Sequence, residues 1–343
     1  MGNGDGSGME ARRRARLLAY ALAALAALTM AVWPRAPTPL QPGGPRVVWV
    51  NDETGRVVPV PQPVQRIVSL APNLTETLFA LGLGDRVVGV TDYCDYPPEA
   101  TTREHVGGPV SPNLEKIAEL RPDLVLATRT GGNRLATVQS LETLGIAVYA
   151  TDPRTVEQVI RSTEQLGQLI GGTDQGRTLA SSLRRRLSAV AERLSGSRPI
   201  PVLLVVWPEP LISVGRNTFI ADALRRAGAE NVIRTAQDWP NASLEEIARQ
   251  QPEYLIFWSD QSVQTEHQIA ELRGRPGWRR LEALRRNRII VLSEAMARPA
   301  PRLVDVIEQL ARALHPERFS RDVTGEPSSA VPAALRRPPQ GTR

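Results

Sequence analysis

TDQGRTLASSLRRRLSAVAERLS, residues 173–195, decides the architecture. Leu179, Leu183, Leu187, Val190 and Leu194 recur at steps of three and four, the period of an α-helix. Asp174 stands in the first turn, and Arg184, Arg185, Arg186 and Arg193 crowd the later ones, the polarity that a helix dipole favours. Gly171-Gly172 precede the run and Gly196 stops it. At about 1.5 Å per residue this helix spans roughly 35 Å, the width of a small domain.

The flanks of this rod echo one another. Asn113-Leu114-Glu115-Lys116-Ile117-Ala118 followed by Pro122-Asp123-Leu124-Val125-Leu126 matches Ser243-Leu244-Glu245-Glu246-Ile247-Ala248 followed by Pro252-Glu253-Tyr254-Leu255-Ile256. Cap, glutamate, Ile-Ala, proline, acid and strand agree position for position. A weaker echo pairs Leu78–Gly82 with Leu224–Gly228. Two similar lobes on one rigid helix is the simplest architecture. The expected division is a leader and Pro-rich linker (1–45), a first lobe (46–172), the interlobe helix (173–195), a second lobe (196–317) and a disordered tail (318–343). Strands alternate with helices throughout. Each lobe is therefore expected to be Rossmann-like α/β, a mainly parallel sheet wrapped by helices.

Composition bounds the function classes. The chain has 343 residues, and roughly 270 remain for the lobes once both ends are set aside, enough for two domains of ordinary size. The net charge is +6, but the basic residues are scattered among Asp and Glu, and Lys116 is the only lysine. No dense basic run with interleaved aromatics occurs outside the N-terminus, which argues against nucleic acid as a partner. The single cysteine, Cys94, excludes an intrachain disulfide and a cysteine-rich metal site. His105, His267 and His315 lack ligand spacing, so no metal site is expected. Arg12, Arg13, Arg14 and Arg16 precede an apolar run from Leu17 to Trp33, the pattern of an export signal. At about 17 residues it lies between a signal-peptide core and a minimal membrane span. No cysteine follows, so the chain is not a lipoprotein. It is expected outside the cytoplasm, either cleaved from this leader or held by it as a transmembrane helix.

Along the chain, Arg46–Val60 around Asn51-Asp52-Glu53-Thr54-Gly55 predicts a hairpin. Asn73 is expected to cap a helix reaching Leu81, Asn113 a helix reaching Leu120, and Thr155–Leu169 to form the helix before the rod. Val202–Val206 reads as a strand that Trp207-Pro208-Glu209-Pro210 interrupts and Leu211–Val214 resumes. Ser243 and Glu246 form a predicted capping box.

In parallel α/β sheets ligands bind outside the carboxyl ends of the strands, and the unusual residues fall in those loops. In the first lobe they are Pro72-Asn73, Tyr93-Cys94-Asp95-Tyr96-Pro97 and Arg129-Thr130-Gly131-Gly132. In the second they are Trp207-Pro208-Glu209-Pro210, Trp239 and Arg298. Aromatics make up only 4% of the chain, yet Tyr93, Tyr96, Trp207 and Trp239 are all in these loops. That pattern suits a large, flat or apolar ligand. There is no P-loop, nucleophile elbow or paired histidine base, and Asp92 and Asp95 beside Cys94 would raise its pKa rather than activate it. No catalytic residue is expected. Glu115 and Glu245 occupy equivalent first turns. Helix stability alone accounts for such carboxylates, but two of them on two lobes also make a two-pronged surface for arginine pockets.

Arg66-Ile67-Val68-Ser69-Leu70-Ala71-Pro72-Asn73 with Thr75-Glu76, then Gly89-Val90-Thr91-Asp92-Tyr93-Cys94-Asp95-Tyr96-Pro97, resembles the helical-backbone (class III) substrate-binding proteins of ABC importers for iron-siderophores, haem and cobalamin. Trp239-Pro240 and Ser293–Arg302 are similar to the cobalamin-binding subgroup. The resemblance covers about Arg46–Pro316. It implies a monomer that closes little on its ligand, with Tyr93, Trp239 and Arg298 in the ligand pocket and the Arg129–Gly132 loop near them. It also implies that Glu115 and Glu245 dock on the importer's permease, whose ATPase supplies the energy. One departure stands out: a pocket tryptophan of the cobalamin type would fall near Pro109. A siderophore or haem is the alternative cargo, with Tyr93 or Tyr96 as an axial ligand. A chelate-processing enzyme is the alternative of another class, and it would need a nucleophile and base converging in the cleft.

Overall fold

The computed structural model describes residues 46–129, 132–259 and 262–320. The leader, the tail beyond Ser320, and Thr130 and Gly131 lie outside the described residues. Among the described residues no helix is long and apolar enough to cross a membrane.

β1 (Arg46–Asn51) and β2 (Val57–Gln62) form the predicted hairpin, antiparallel with Val48 opposite Val60. β3 (Ile67–Ser69), β4 (Val87–Val90), β5 (Glu104–His105), β6 (Leu124–Thr128) and β7 (Val148–Thr151) then build one parallel sheet in the order β5-β4-β3-β6-β7. Its helices are α1 (Pro72–Ala80), α2 (Leu114–Glu119), α3 (Leu135–Thr143) and α4 (Val156–Ile170). β6 and β7 are buried along their whole length, which is why they read as unbroken runs, Leu-Val-Leu-Ala-Thr and Val-Tyr-Ala-Thr, rather than alternating with charged residues.

The second lobe repeats this plan. β8 (Ile200–Leu204), β11 (Ala229–Asn231), β12 (Tyr254–Trp258) and β13 (Ile289–Leu292) form a parallel sheet in the order β11-β8-β12-β13. Taken in chain order within each lobe, that is the order of β4-β3-β6-β7. Its helices are α6 (Phe219–Arg226), α7 (Leu244–Gln250), α8 (Ser262–Gly274), α9 (Glu282–Arg285), α10 (Leu303–Leu314) and α11 (Pro316–Phe319). The step that takes Asn113 to Ser243 also takes the β6 start, Leu124, to the β12 start, Tyr254. It takes Arg121 to Gln251 as well, and both end their helix with positive φ, 46° and 47°. The sequence echo is therefore a repeat of backbone conformation.

Three local expectations are corrected. Pro72, not Asn73, opens α1: its missing N–H suits the first helical position, and Asn73 sits inside the helix. Leu211 does not resume β8. β9 (Trp207–Pro208) and β10 (Leu211–Ile212) pair with each other as a short antiparallel ribbon, because the prolines stop the sheet hydrogen-bonding on either side of Glu209. Ser243 Oγ accepts from Glu246 N at 3.4 Å, but the Glu246 carboxylate turns to Arg249 and Gln250, so only half of the capping box forms.

The predicted rod is α5 (Thr173–Arg193), closed by Gly196 at φ 74°. Leu183, Leu187 and Val190 enter the second lobe's core. α5 does not stand alone. α4 lies against it, and the first half of α4 (Val156, Val159, Ile160) packs into the second core while Leu166 and Ile170 pack into the first. The close approach needs two glycines. A Cβ on Gly167 would stand 2.7 Å from Gly172 O and 3.0 Å from Gly176 Cα. The lobes are thus joined by a helix pair threaded through both cores.

Candidate ligand-binding site

The strand order reverses between β3 and β6 in the first lobe and between β8 and β12 in the second. Adjacent loops part at such points and leave a crevice. In the first lobe the crevice is bounded by Leu70–Pro72 and by Arg129, Gly132 and Asn133. Asn133 ties the two together: its Nδ2 donates to Leu70 O at 3.0 Å and Pro109 O at 2.8 Å, and its Oδ1 accepts from Thr128 N at 2.7 Å. In the second lobe the corresponding loop after β8 carries Trp207, whose Nε1 donates to Glu209 O at 2.8 Å and leaves the ring face free.

Contacts between the lobes show that the two carboxyl edges face one another. Arg298, after β13, donates to Glu76 on α1 at 2.8 Å and to Asp95, after β4, at 2.6 and 3.1 Å. Arg302 donates twice to Glu76 at 2.8 Å, and its guanidinium carbon lies 3.5 Å from the Tyr96 ring centroid. Arg154, after β7, reaches across to Asp238, after β11, at 2.6 Å, and Val156 N donates to Asp222 on α6 at 2.9 Å. The two sets are equivalent. In each, an arginine after one lobe's last sheet strand meets an aspartate after the other lobe's second sheet strand, and an acid on one lobe's first helix (Glu76 on α1, Asp222 on α6) receives the start of a helix that follows the opposite lobe's last strand (α10, α4). The step that takes Leu78 to Leu224 takes Glu76 to Asp222.

The two struts differ in burial. The Glu76 side chain is 1% exposed and Arg298 12%, whereas Arg154 and Asp238 are 35% and 39% exposed. Arg298 holds the Asp95 carboxyl below the usual carboxylate range. Arg298 itself stays charged although burial opposes it, because Asp95 and Glu76 both accept from it. In this conformation its donors are committed to carboxylates, so it acts on the cleft by fixing Glu76 and the Asp95 loop.

Around these struts the other residues singled out from the sequence take their places. Tyr93, Tyr96, Trp207 and Trp239 are 63%, 41%, 57% and 43% exposed, on loops of both lobes at the facing edges. The residues on either side of Trp239 are held through their backbone: Gly215 N donates to Asp238 O at 3.0 Å and Ser213 N to Pro240 O at 3.1 Å. Arg129 is exposed, 3.6 Å from Asp152, which Arg154 approaches at 3.3 Å. Pro72 and Asn73 belong to α1, where Asn73 is buried rather than turned to the cleft mouth. Glu115 and Glu245 are both exposed. Each sits one residue into a helix whose cap hangs on the carboxyl edge: Asn113 N donates to Val106 O at 2.8 Å, and Ala242 N to Leu211 O at 2.8 Å. Glu115 and Glu245 therefore stand on the cleft-bearing edge of their own lobes.

Cys94 is buried, its Sγ 3.1 Å from Thr75 Oγ1 and 3.2 Å from Thr91 Oγ1, and burial pushes its thiol up in pKa. His105 pairs with Asp92 at 3.2 Å, and His315 lies at the foot of the second lobe against Gly228 O. Among the described residues no cluster of His, Cys, Asp or Glu could hold a metal ion.

Sequence reasoning missed Glu76, Arg302, Asn133 and the Arg154–Asp238 pair. For Glu76 a signal existed: it lies two residues before the Leu78–Gly82 echo, opposite Asp222. Burial, which turns an ordinary helical glutamate into the acceptor for two arginines, has no signature in one sequence.

Residues 67–296 match the periplasmic binding protein family. The vitamin B12-binding protein of Vibrio parahaemolyticus is 32% identical over 248 residues, covering 72% of this chain and 88% of that protein. That of Vibrio cholerae is 29% identical over 256 residues, covering 73% and 89%. The crystal structure of the periplasmic vitamin B12-binding protein of Vibrio cholerae superposes with a TM-score of 0.65 at 26% identity, over 77% of this chain and 99% of that one. A periplasmic haem-binding protein from Pseudomonas aeruginosa superposes equally well, with a TM-score of 0.66 at 27% identity over 74% and 93%. The chain, two pseudo-equivalent parallel-sheet lobes on a helical backbone, belongs to the periplasmic binding protein family, in its helical-backbone class of substrate-binding proteins for ABC importers.

Proposed function

We propose that this protein captures cobalamin or a related corrinoid between its lobes, outside the cytoplasm, and delivers it to the permease of an ABC importer. The observation that carries the proposal is the placement of Tyr93, Tyr96, Trp207 and Trp239, solvent-exposed on loops of both lobes that face each other. A corrin is broad, flat and largely apolar. Aromatic faces on both sides bury it at low entropic cost, since each ring has only two side-chain torsions. The B12-binding relatives support the same cargo class. Tyr93, Trp207, Trp239 and the Arg129–Gly132 loop, with Thr130 and Gly131, form the ligand wall. Pro72, Asn73 and Arg298 support it from behind.

Haem is the second reading, favoured by the exposed Tyr93 phenol and by Pro109 standing where the corrinoid-binding pattern has a tryptophan. Loading is followed by docking of Glu115 and Glu245 into arginine pockets of the importer, with the leader either cleaved or retained as the anchor. Isothermal titration of the purified chain with cyanocobalamin, dicyanocobinamide, haem and a ferric siderophore separates these readings. One-site binding of both corrinoids, tighter than binding of the other two, is the expected result. Saturable binding of haem alone would replace the corrinoid assignment, and absence of binding by all four would end both.

A further inference from the structure

Among the described residues, the most exposed large apolar side chains fall mainly into two groups. Tyr93, Tyr96, Val110, Leu135, Trp207 and Trp239 lie on loops or helix starts near the carboxyl edges of the sheets. Val47, Trp49 and Val57 form a second group on the β1–β2 hairpin, 48%, 67% and 62% exposed. All three sit on one face of the β1–β2 hairpin. Strand alternation sends Val58 and Val60 into the first lobe's core and turns Val47, Trp49, Val57 and Pro59 outward. Register places Trp49 opposite Pro59 and Val47 opposite Pro61. The outward face is thus an apolar ribbon of Val47, Trp49, Val57, Pro59 and Pro61, with Asn51 at its turn end. No ligand-binding or docking role described above uses it.

We infer that this ribbon rests on the lipid surface of the membrane to which the chain is tethered. The inference depends on the reading of residues 17–33 as a retained anchor. About a dozen residues, 34–45, separate the last apolar residue of that run, Trp33, from Arg46. Such a segment reaches at most roughly 40 Å. The element at its end is the hairpin, and Val47 is the second residue of that element. The tether therefore leads directly into an apolar outer face. Its composition suits the headgroup region: Trp49 supplies an amphipathic ring, and Val47, Val57 and Pro59 supply apolar area. The hairpin turn is fastened to the outer strand β7, where Glu53 N donates to Ala150 O at 3.1 Å, so the ribbon flanks the first sheet.

The test uses the full chain in vesicles of phosphatidylethanolamine and phosphatidylglycerol. Val57→Cys carries a nitroxide, with Ser181→Cys on the exposed side of α5 as the aqueous control. Native Cys94 is buried and leaves the label to the introduced site. Collision with molecular oxygen and with a neutral nickel chelate is read at both sites. Lipid contact predicts an oxygen-to-nickel ratio at 57 several-fold above that at 181, falling when Trp49→Ser is added. Equal ratios overturn the inference. Loss of both collisions at 57 also overturns it, since that marks a protein partner. Intact mass of the vesicle-bound chain separates the two premises: loss of residues 1–33 together with a high ratio at 57 removes the anchor and keeps the lipid-facing ribbon.

Discussion

Replacing Glu76 with alanine should destabilise the protein more than any other change at the facing edges. The carboxylate is 1% exposed and accepts three bonds of 2.8 Å, one from Arg298 and two from Arg302. Removing one member of a buried ion pair costs about 3–5 kcal/mol, because the partner charge stays behind without compensation. Two features lower that figure. Arg298 keeps Asp95 at 2.6 Å, and Arg302, 27% exposed, recovers some hydration. The expected cost is about 3 kcal/mol, a fall in melting temperature of roughly 6–12 °C for a chain of this size. The equivalent strut on the other side gives the contrast. Arg154 and Asp238 are about a third exposed, so Asp238→Ala should cost about 0–1 kcal/mol. Urea unfolding followed by tryptophan fluorescence and circular dichroism measures both, and a double-mutant cycle with Arg302→Met isolates the pair. A cost below about 1 kcal/mol for Glu76→Ala, or equal costs for the two struts, would refute the argument that burial sets their strength.

Trp239→Ala should weaken corrinoid binding by about 1–3 kcal/mol, roughly 5- to 150-fold in Kd, while urea stability stays within about 0.5 kcal/mol, because the ring is 43% exposed. Titration calorimetry on folded variant checks it, and unchanged affinity removes Trp239 from the site. Glu115→Ala combined with Glu245→Ala should leave ligand affinity intact and lower the stimulation of the importer's ATPase in proteoliposomes; wild-type stimulation would remove the docking role. Glu53→Gln tests a buried charge. Burial raises the Glu53 carboxyl above its ordinary value, so the folded state holds this proton more tightly than the unfolded state and stability falls as pH rises from about 4.3 through the folded value. The variant should be more stable than the parent at pH 7, and the gain should vanish below about pH 4. A gain that does not change with pH contradicts the assignment.

The lobes and their linker were legible because they rest on period and repetition. The three-and-four spacing of Leu183, Leu187 and Val190 is the buried face of α5, and the Asn113/Ser243 echo continues into matched positive-φ residues at Arg121 and Gln251. The partner role of α4 was not legible. Its strongly amphipathic pattern requires a buried face but does not say that Val156 and Ile170 lie in different cores. Short elements with little periodicity, β5 and β11, escaped for the same reason, and the β9–β10 ribbon was mistaken for one interrupted strand. At the site, exposed aromatics stood out by rarity in a chain poor in them. Arg298 also stood out, but its commitment to Glu76 and Asp95 depends on contacts more than 200 positions away in sequence.

The account's central claim is that cargo sits between the two carboxyl edges. A crystal of the corrinoid-loaded chain, measured at the cobalt absorption edge, tests it directly. The account predicts a single anomalous cobalt peak per chain, lying between the Tyr93 loop of one lobe and the Trp239 loop of the other. A peak on the outer surface of either lobe, or a filled and cobalt-free cleft in crystals that retain the ligand, would contradict it.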